Sequence, residues 1–157
     1  MNLLLLSRKT GRALMKKGQS LVTAESCTGG WVAQAVTSVA GSSDWFERGY
    51  VTYSNAAKRE ELGVSGKTLL RHGAVSEQTA RAMARGALAK SRGTIAVAIT
   101  GIAGPGGGAP GKPVGTVCFA WVRGRKMRSE TKRFRGGRSR VRRQSVVHAL
   151  RGVLRWL

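Results

Sequence analysis

Apolar residues recur along this chain with two alternating periods, and each change of period marks an element. Leu3 to Lys17 reads as a helix, with Gly18 placed to stop it. Leu21-Val22-Thr23-Ala24 is a short β-type run, followed at once by Glu25-Ser26-Cys27-Thr28-Gly29-Gly30. Trp31, Val32, Ala35, Val36 and Val39 then return at helical spacing until Gly41. Phe46 to Tyr53, rich in aromatic and β-branched residues, predicts a strand. Asn55 is placed to cap a short helix that Gly63 closes after Leu62. Ser76 is placed to cap a helix through Lys90, and the compact apolar run Thr94 to Thr100 predicts a buried strand. Val114 to Val122 and Met127 to Phe134 predict two strands around a turn at Gly124. Val141, Val147, Leu150, Leu154 and Leu157 mark a closing amphipathic helix from Arg138.

Helices and strands therefore alternate, with one late hairpin and a C-terminal helix. The architecture predicted is α/β, one sheet with helices on both faces in a three-layer α/β/α sandwich. No internal repeat or long linker interrupts the pattern, so residues 1–157 read as a single domain. In such a fold the favoured ligand site lies at the carboxyl ends of the strands. Two glycine-rich loops follow predicted strands, one around Ser26 and one from Gly101 to Gly108.

Composition narrows the classes. Two cysteines, Cys27 and Cys118, lie far apart and form no metal-ligand cluster or CxxC pair, so both read as reduced, buried thiols. Leu3 to Leu6 is too short for a membrane span or a signal-peptide core, and its charged flank lies on the wrong side. The chain reads as cytoplasmic, with no membrane partner. Charge is the exceptional feature, with 28 Lys and Arg against 7 Asp and Glu, a formal +21 and a pI near 11.8. The excess crowds into residues 123–143. A weak nucleic-acid-binding face there is one reading and a solvated surface the other. Phe134 is the only aromatic in the segment available for stacking on a base.

The first glycine loop carries the sharper chemistry. A serine that leaves a strand and enters a helix through Gly-Gly presents its oxygen beside unpaired N–H groups, which can hold a phosphate or a developing oxyanion. A plain N-cap or tight-turn serine fits the same pattern. Ser26 acts as a nucleophile only if a base lies within reach. His72, in a basic His-Gly turn, and His148, on the last helix, read as structural. With few acids available, a desolvated lysine is the next candidate, because burial disfavours the ammonium and frees the amine to accept a proton. Spacing alone does not choose among the lysines. The second loop lacks a Lys-Ser/Thr ending and is not a nucleotide P-loop.

Six blocks resemble the CinA C-terminal family in order and spacing: Thr23-Ala24-Glu25-Ser26-Cys27-Thr28-Gly29-Gly30; Gly41-Ser42-Ser43; Val51-Thr52-Tyr53-Ser54-Asn55 with Lys58; His72-Gly73-Ala74-Val75-Ser76-Glu77; Ala98-Ile99-Thr100-Gly101-Ile102-Ala103-Gly104-Pro105; and Lys112-Pro113-Val114-Gly115-Thr116-Val117. The resemblance implies an α/β/α sandwich that hydrolyses the carboxamide of nicotinamide mononucleotide to nicotinic acid mononucleotide and ammonia, without cofactor or metal. It implies Ser26 as nucleophile, Lys58 as general base and Tyr53 beside them. Ser43, Thr28, Gly29, Thr100 and Gly101 would line the substrate, and Arg138 would lie on its phosphate side, with Arg140 and Arg142 as substitutes. The oxyanion would fall to N–H groups near Cys27 to Gly30 or to those of Thr100-Gly101. Cys27 would fill space, and Glu25 reads either as a group that orients Lys58 or as a solvent-facing acid. Relatives in the family tend to pair, so a homodimer is expected. Where the family usually writes Gly-Asp-Arg before its last helix, this chain has Gly136-Gly137-Arg138, which removes a possible N-cap and a partner for the arginine.

Overall fold

A computed structural model describes residues 2–157. Five strands form one mixed sheet in the order β2-β1-β3-β4-β5, with β1 (Leu21–Glu25), β2 (Phe46–Val51), β3 (Ile95–Gly101), β4 (Thr116–Arg123) and β5 (Lys126–Arg133). β1 runs parallel to both neighbours, while β3, β4 and β5 pair antiparallel in sequence. β1 is buried at every position, which accounts for its reading as an unbroken apolar run rather than an alternating one.

Two apolar layers cover the sheet. Odd-numbered residues of β3 and β4, such as Val97, Ile99, Phe119 and Trp121, pack under α1 (Leu3–Lys16), α2 (Trp31–Thr37) and α6 (Arg138–Trp156). Even-numbered residues, such as Ala96, Ala98, Ala120 and Val122, face α3 (Asn55–Leu62), α4 (Gly66–His72) and α5 (Glu77–Ala89). The predicted three-layer sandwich is therefore the observed one. The small residues on the second face let α5 lie close to the sheet. α5 in turn holds α3, because Gly86 gives room to the backbone of Leu62, where a Cβ would collide.

Differences from the sequence pattern are local. Ser54, not Asn55, caps α3, its Oγ accepting from Ala57 N at 3.0 Å. α4 was not expected. It is a seven-residue helix capped by Ser65, too short for an amphipathic period to register, and His72 ends it rather than lying in a turn. α2 stops at Thr37 and a 3-10 turn, Ser42–Asp44, leads into β2. α6 begins as expected at Arg138, with Gly137 as an N-cap that offers no side-chain hydrogen bond.

Part of the basic segment, with Arg155 beyond it, is engaged within the chain. β5 is an edge strand, where lysine and arginine discourage pairing with another chain. Arg128 and Arg155 lie over the ring of Trp156, and Arg155 also pairs with Glu130 at 2.8 Å. Arg123 donates to the main-chain oxygen of Leu157. Phe134 packs edge-on against Phe119 and His148 and is not free to stack on a base. Reading the segment as a nucleic-acid face therefore rests on charge alone.

Candidate active site

Strand register gathers the first site. Glu25 at the end of β1 pairs with Val51 of β2 and Ile99 of β3, so the residues just beyond all three strands emerge at one end of the sheet. The ladder continues one step past β1: Ser26 N donates to Ile99 O at 2.9 Å and Thr52 N to Glu25 O at 2.9 Å. The backbones of Ser26 and Thr52 are thus pinned by the sheet itself.

Lys58 reaches this point from α3. The helix is fixed at its start by Ser54 and at its end by Gly63, whose left-handed conformation lets Val64 N return to Lys58 O at 3.1 Å. Lys58 Nζ lies 3.0 Å from Ser26 Oγ, 3.0 Å from Thr52 O and 2.9 Å from Tyr53 O. Ser26 Oγ is also 3.4 Å from Tyr53 O. Lys58 is 1 % exposed and Ser26 7 %. Burial drives the lysine below its ordinary range.

The three partners accommodate both protonation states of the amine. Two are carbonyl oxygens, which only accept, and a neutral amine has two hydrogens for them. Its lone pair is then left to the Ser26 hydroxyl. In the ammonium form the third hydrogen points at Ser26 Oγ, and the hydroxyl proton is left with Tyr53 O. The arrangement can therefore take a proton from Ser26 and return it without breaking its other hydrogen bonds.

Glu25 does not orient Lys58. Fully buried, it turns the other way and accepts from Val32 N at 2.8 Å and Ala33 N at 3.1 Å, fastening the first turn of α2 to the end of β1. Burial raises its carboxyl above the ordinary range, and these N–H groups pull it partly back. Cys27 is packed in the core beneath α2 and α6, and burial pushes its thiol up to about 12, which makes it a poor nucleophile beside Ser26. Gly29, at φ +60°, takes the left-handed step that turns the chain into α2.

Two arginines from α6 close the site. Arg138 Nη1 donates to Gly104 O at 2.8 Å and its Nη2 to the Tyr53 phenol at 3.1 Å, linking the second glycine loop to the β2–α3 connection. The Tyr53 ring is 59 % exposed, so its phenol stands at the rim while its main-chain oxygen touches Lys58. Arg142 binds main chain of the turn after Ser26, Nε to Cys27 O at 3.1 Å and Nη2 to Thr28 O at 3.0 Å, with its guanidinium 5.4 Å from the centre of the Trp31 ring. This contact was not legible in sequence, where Arg142 reads as a substitute phosphate ligand.

Not every sequence-predicted residue converges. Thr100 lies at the right end of β3 but is buried, and its hydroxyl donates to Ala74 O at 2.7 Å. Gly101 ends β3 alongside. Thr28 is buried in the turn after Ser26, and Gly29 is its exposed corner. Ser43 is elsewhere. It precedes Phe46, which pairs with Leu21 at the start of β1, so the length of that strand, roughly 15 Å, separates it from Ser26 within this chain. The block around Ser43 carried no signal of which sheet end it occupies.

A model of the CinA C-terminal domain matches residues 5–157. The chain belongs to that family. It is 54% identical over 150 residues to the nicotinamide-nucleotide amidohydrolase PncC of Escherichia coli K12, covering 94% of this chain and 90% of that one. It is 52% identical over 149 residues to PncC of Pseudomonas putida, covering 95% and 93%. Among solved structures, the competence/damage inducible protein CihA of Agrobacterium tumefaciens superposes with a TM-score of 0.95 at 46% identity, over 98% of this chain and 94% of that chain. The CinA sandwich thus accounts for the whole sheet. No helix of the described residues is long and apolar enough to cross a membrane.

Proposed function

We propose that this CinA-family chain is a nicotinamide-nucleotide amidohydrolase that uses Ser26 as nucleophile and Lys58 as general base. The observation that carries the reading is the 3.0 Å contact between Lys58 Nζ and Ser26 Oγ, with both side chains buried and the lysine driven below its ordinary range by that burial. Relatives that share half the sequence carry the same activity by name.

In the first step Ser26 Oγ attacks the carboxamide carbon of nicotinamide mononucleotide as its proton passes to Lys58. The carbonyl oxygen becomes an oxyanion. Within the turn, the N–H of Ser26 is held by Ile99 O and that of Gly29 by Ser26 O, whereas those of Cys27 and Thr28 donate to no backbone oxygen among the described residues. These two amides are the oxyanion donors, and one such donor contributes about 3 to 4 kcal/mol to the transition state. Collapse of the intermediate breaks the carbon–nitrogen bond. The Lys58 ammonium gives its proton to the leaving nitrogen, which departs as ammonia and leaves the nicotinoyl ester of the mononucleotide on Ser26. Lys58, neutral again, takes a proton from water as the water attacks the ester. The proton then returns to Ser26 Oγ, and nicotinic acid mononucleotide is released.

Arg138 and Tyr53 at the rim receive the ribose phosphate. Their two contacts leave the guanidinium with three further N–H donors, enough for a forked bond to phosphate. Such a reaction belongs to pyridine-nucleotide salvage. The family's tendency to pair extends to this chain as a proposed homodimer.

The test is ammonia release from nicotinamide mononucleotide, nicotinamide and the dinucleotide, in buffer containing a chelator. Turnover of the mononucleotide is expected. No ammonia from any of the three would overturn the reading.

A further inference from the structure

Arg142 reads in sequence as a phosphate ligand, yet its guanidinium is turned onto the main chain of the nucleophile turn. We infer that Arg142 is a positioning residue which aims the Thr28 N–H into the oxyanion site. The inference rests on the amidohydrolase reading and deepens it.

The geometry of a trans peptide carries the argument. The Cys27–Thr28 peptide is trans, so its C=O and N–H point in opposite directions. Arg142 Nε holds Cys27 O at 3.1 Å. The Thr28 N–H of the same peptide is therefore directed away from the arginine, and it meets no backbone oxygen within the described chain. The next peptide behaves alike and supplies an internal check. Arg142 Nη2 holds Thr28 O at 3.0 Å, and Gly29 N points back to Ser26 O at 3.0 Å. The peptide before is set within the turn, because Ser26 O is taken by that Gly29 N–H, which turns the Cys27 N–H outward. Of the two free amides, only that of Thr28 depends on a side chain for its direction.

The residue type fits the task. Two successive carbonyls are gripped by one planar fork, which lysine, with a single point of charge, does not reproduce. Charge on the carbonyl side also polarises the peptide and strengthens its N–H as a donor. The Trp31 ring supports the guanidinium 5.4 Å away, and Arg142 itself is held by α6, one turn after Arg138. One helix thus serves the reaction twice: Arg138 at the rim toward substrate, and Arg142 behind the turn toward the protein.

The test compares wild type, Arg142→Gln and Arg142→Lys in steady-state ammonia release from nicotinamide mononucleotide and from nicotinamide riboside, which lacks the phosphate. In parallel, the rate of Ser26 labelling by phenylmethylsulfonyl fluoride is followed by mass spectrometry. Arg142→Gln is expected to lower kcat about tenfold to a hundredfold, a fraction of what losing an oxyanion donor outright costs. KM for the mononucleotide should stay within about twofold, the riboside should lose activity by the same factor, and labelling should slow in parallel. Arg142→Lys should recover part of the rate, and it decides the matter if Arg142→Gln does not fold. A raised KM with unchanged kcat, or a loss confined to the phosphorylated substrate, would make Arg142 a phosphate ligand and overturn the inference. Unchanged kcat and labelling would reduce it to a packing contact. If wild type releases no ammonia from either amide, the amidohydrolase reading fails, and the labelling rates still decide this one. Slower labelling of the variants upholds it, whereas equal labelling, or none in wild type, ends it.

Discussion

Lys58 Nζ and Ser26 Oγ stand 3.0 Å apart although 32 positions separate them in the chain. Their meeting depends on two independent supports. The end of β1 places the serine, and a doubly capped eight-residue helix, α3, brings in the lysine. Neither support depends on the other, and together they hold the two side chains in contact.

Replacing either partner should abolish turnover while leaving the fold intact. Ser26→Ala removes the proposed nucleophile, and Lys58→Met removes the proposed base while keeping an apolar stem in its place. Each should lower kcat at least a thousandfold, on the order of what a nucleophile or its base contributes to an acyl transfer. Ammonia release and circular dichroism check this together. Near-normal turnover by Ser26→Ala would remove the serine from the mechanism.

The burial that depresses Lys58 predicts a pH profile. Only the neutral amine accepts a proton, so kcat/KM should rise with pH through the depressed lysine value and level off below the ordinary lysine range, about 10.4. Stability carries the same sign. Between the folded and unfolded lysine values the unfolded chain binds more protons, so wild type gains stability as pH rises across that window. Lys58→Met should lack this gain. A rate still climbing at about pH 10 would show an ordinary, solvated lysine.

Gly86 is a structural test at a distance. Helix propensity alone predicts that Gly86→Ala stabilises α5 by about 0.8–1.0 kcal/mol. The added Cβ, however, falls on the backbone of Leu62 at the end of α3. Overpacking against main chain costs about 1–3 kcal/mol and should lower Tm by roughly 3–10 °C. Because α3 carries Lys58, activity should fall as well. A raised Tm would mean that α3 can yield.

Gly137 offers the opposite experiment. Its extended backbone, φ −73° and ψ 178°, already suits an N-cap, and open space surrounds the position of a Cβ. Gly137→Asp should add a cap and a negative charge at the start of a helix whose first turn holds no acid. A gain of about 0.5–1 kcal/mol, or roughly 2 °C in Tm, is expected. Thermal unfolding measures it directly.

Both thiols should be silent in the folded protein. Cys27 and Cys118 are free, buried and raised by burial. Ellman's reagent should therefore react with neither until denaturant is added, and then with both. Rapid labelling of Cys27 in the native state would contradict the packing beneath α2.

The hydrophobic pattern by itself determined the order of the strands and of every helix but α4, the two-sided covering of the sheet and the end of the sheet at which the candidate site lies. Those properties follow from local periods and from the direction in which strands lead into glycine turns. The motif wording pointed further, to Ser26 and Lys58. What the side chains around them do was decided only in three dimensions. Glu25 turns to the amides of α2 because no water reaches it and those N–H groups do. Arg142 lies behind the turn, and Ser43 at the far end of β1, because a helix face and a parallel register put them there. Sequence carries the period of a helix and the residues of a motif. The partner that a buried charge or an arginine fork finds is a property of packing, since it depends on groups that are distant along the chain and adjacent only once the layers have closed.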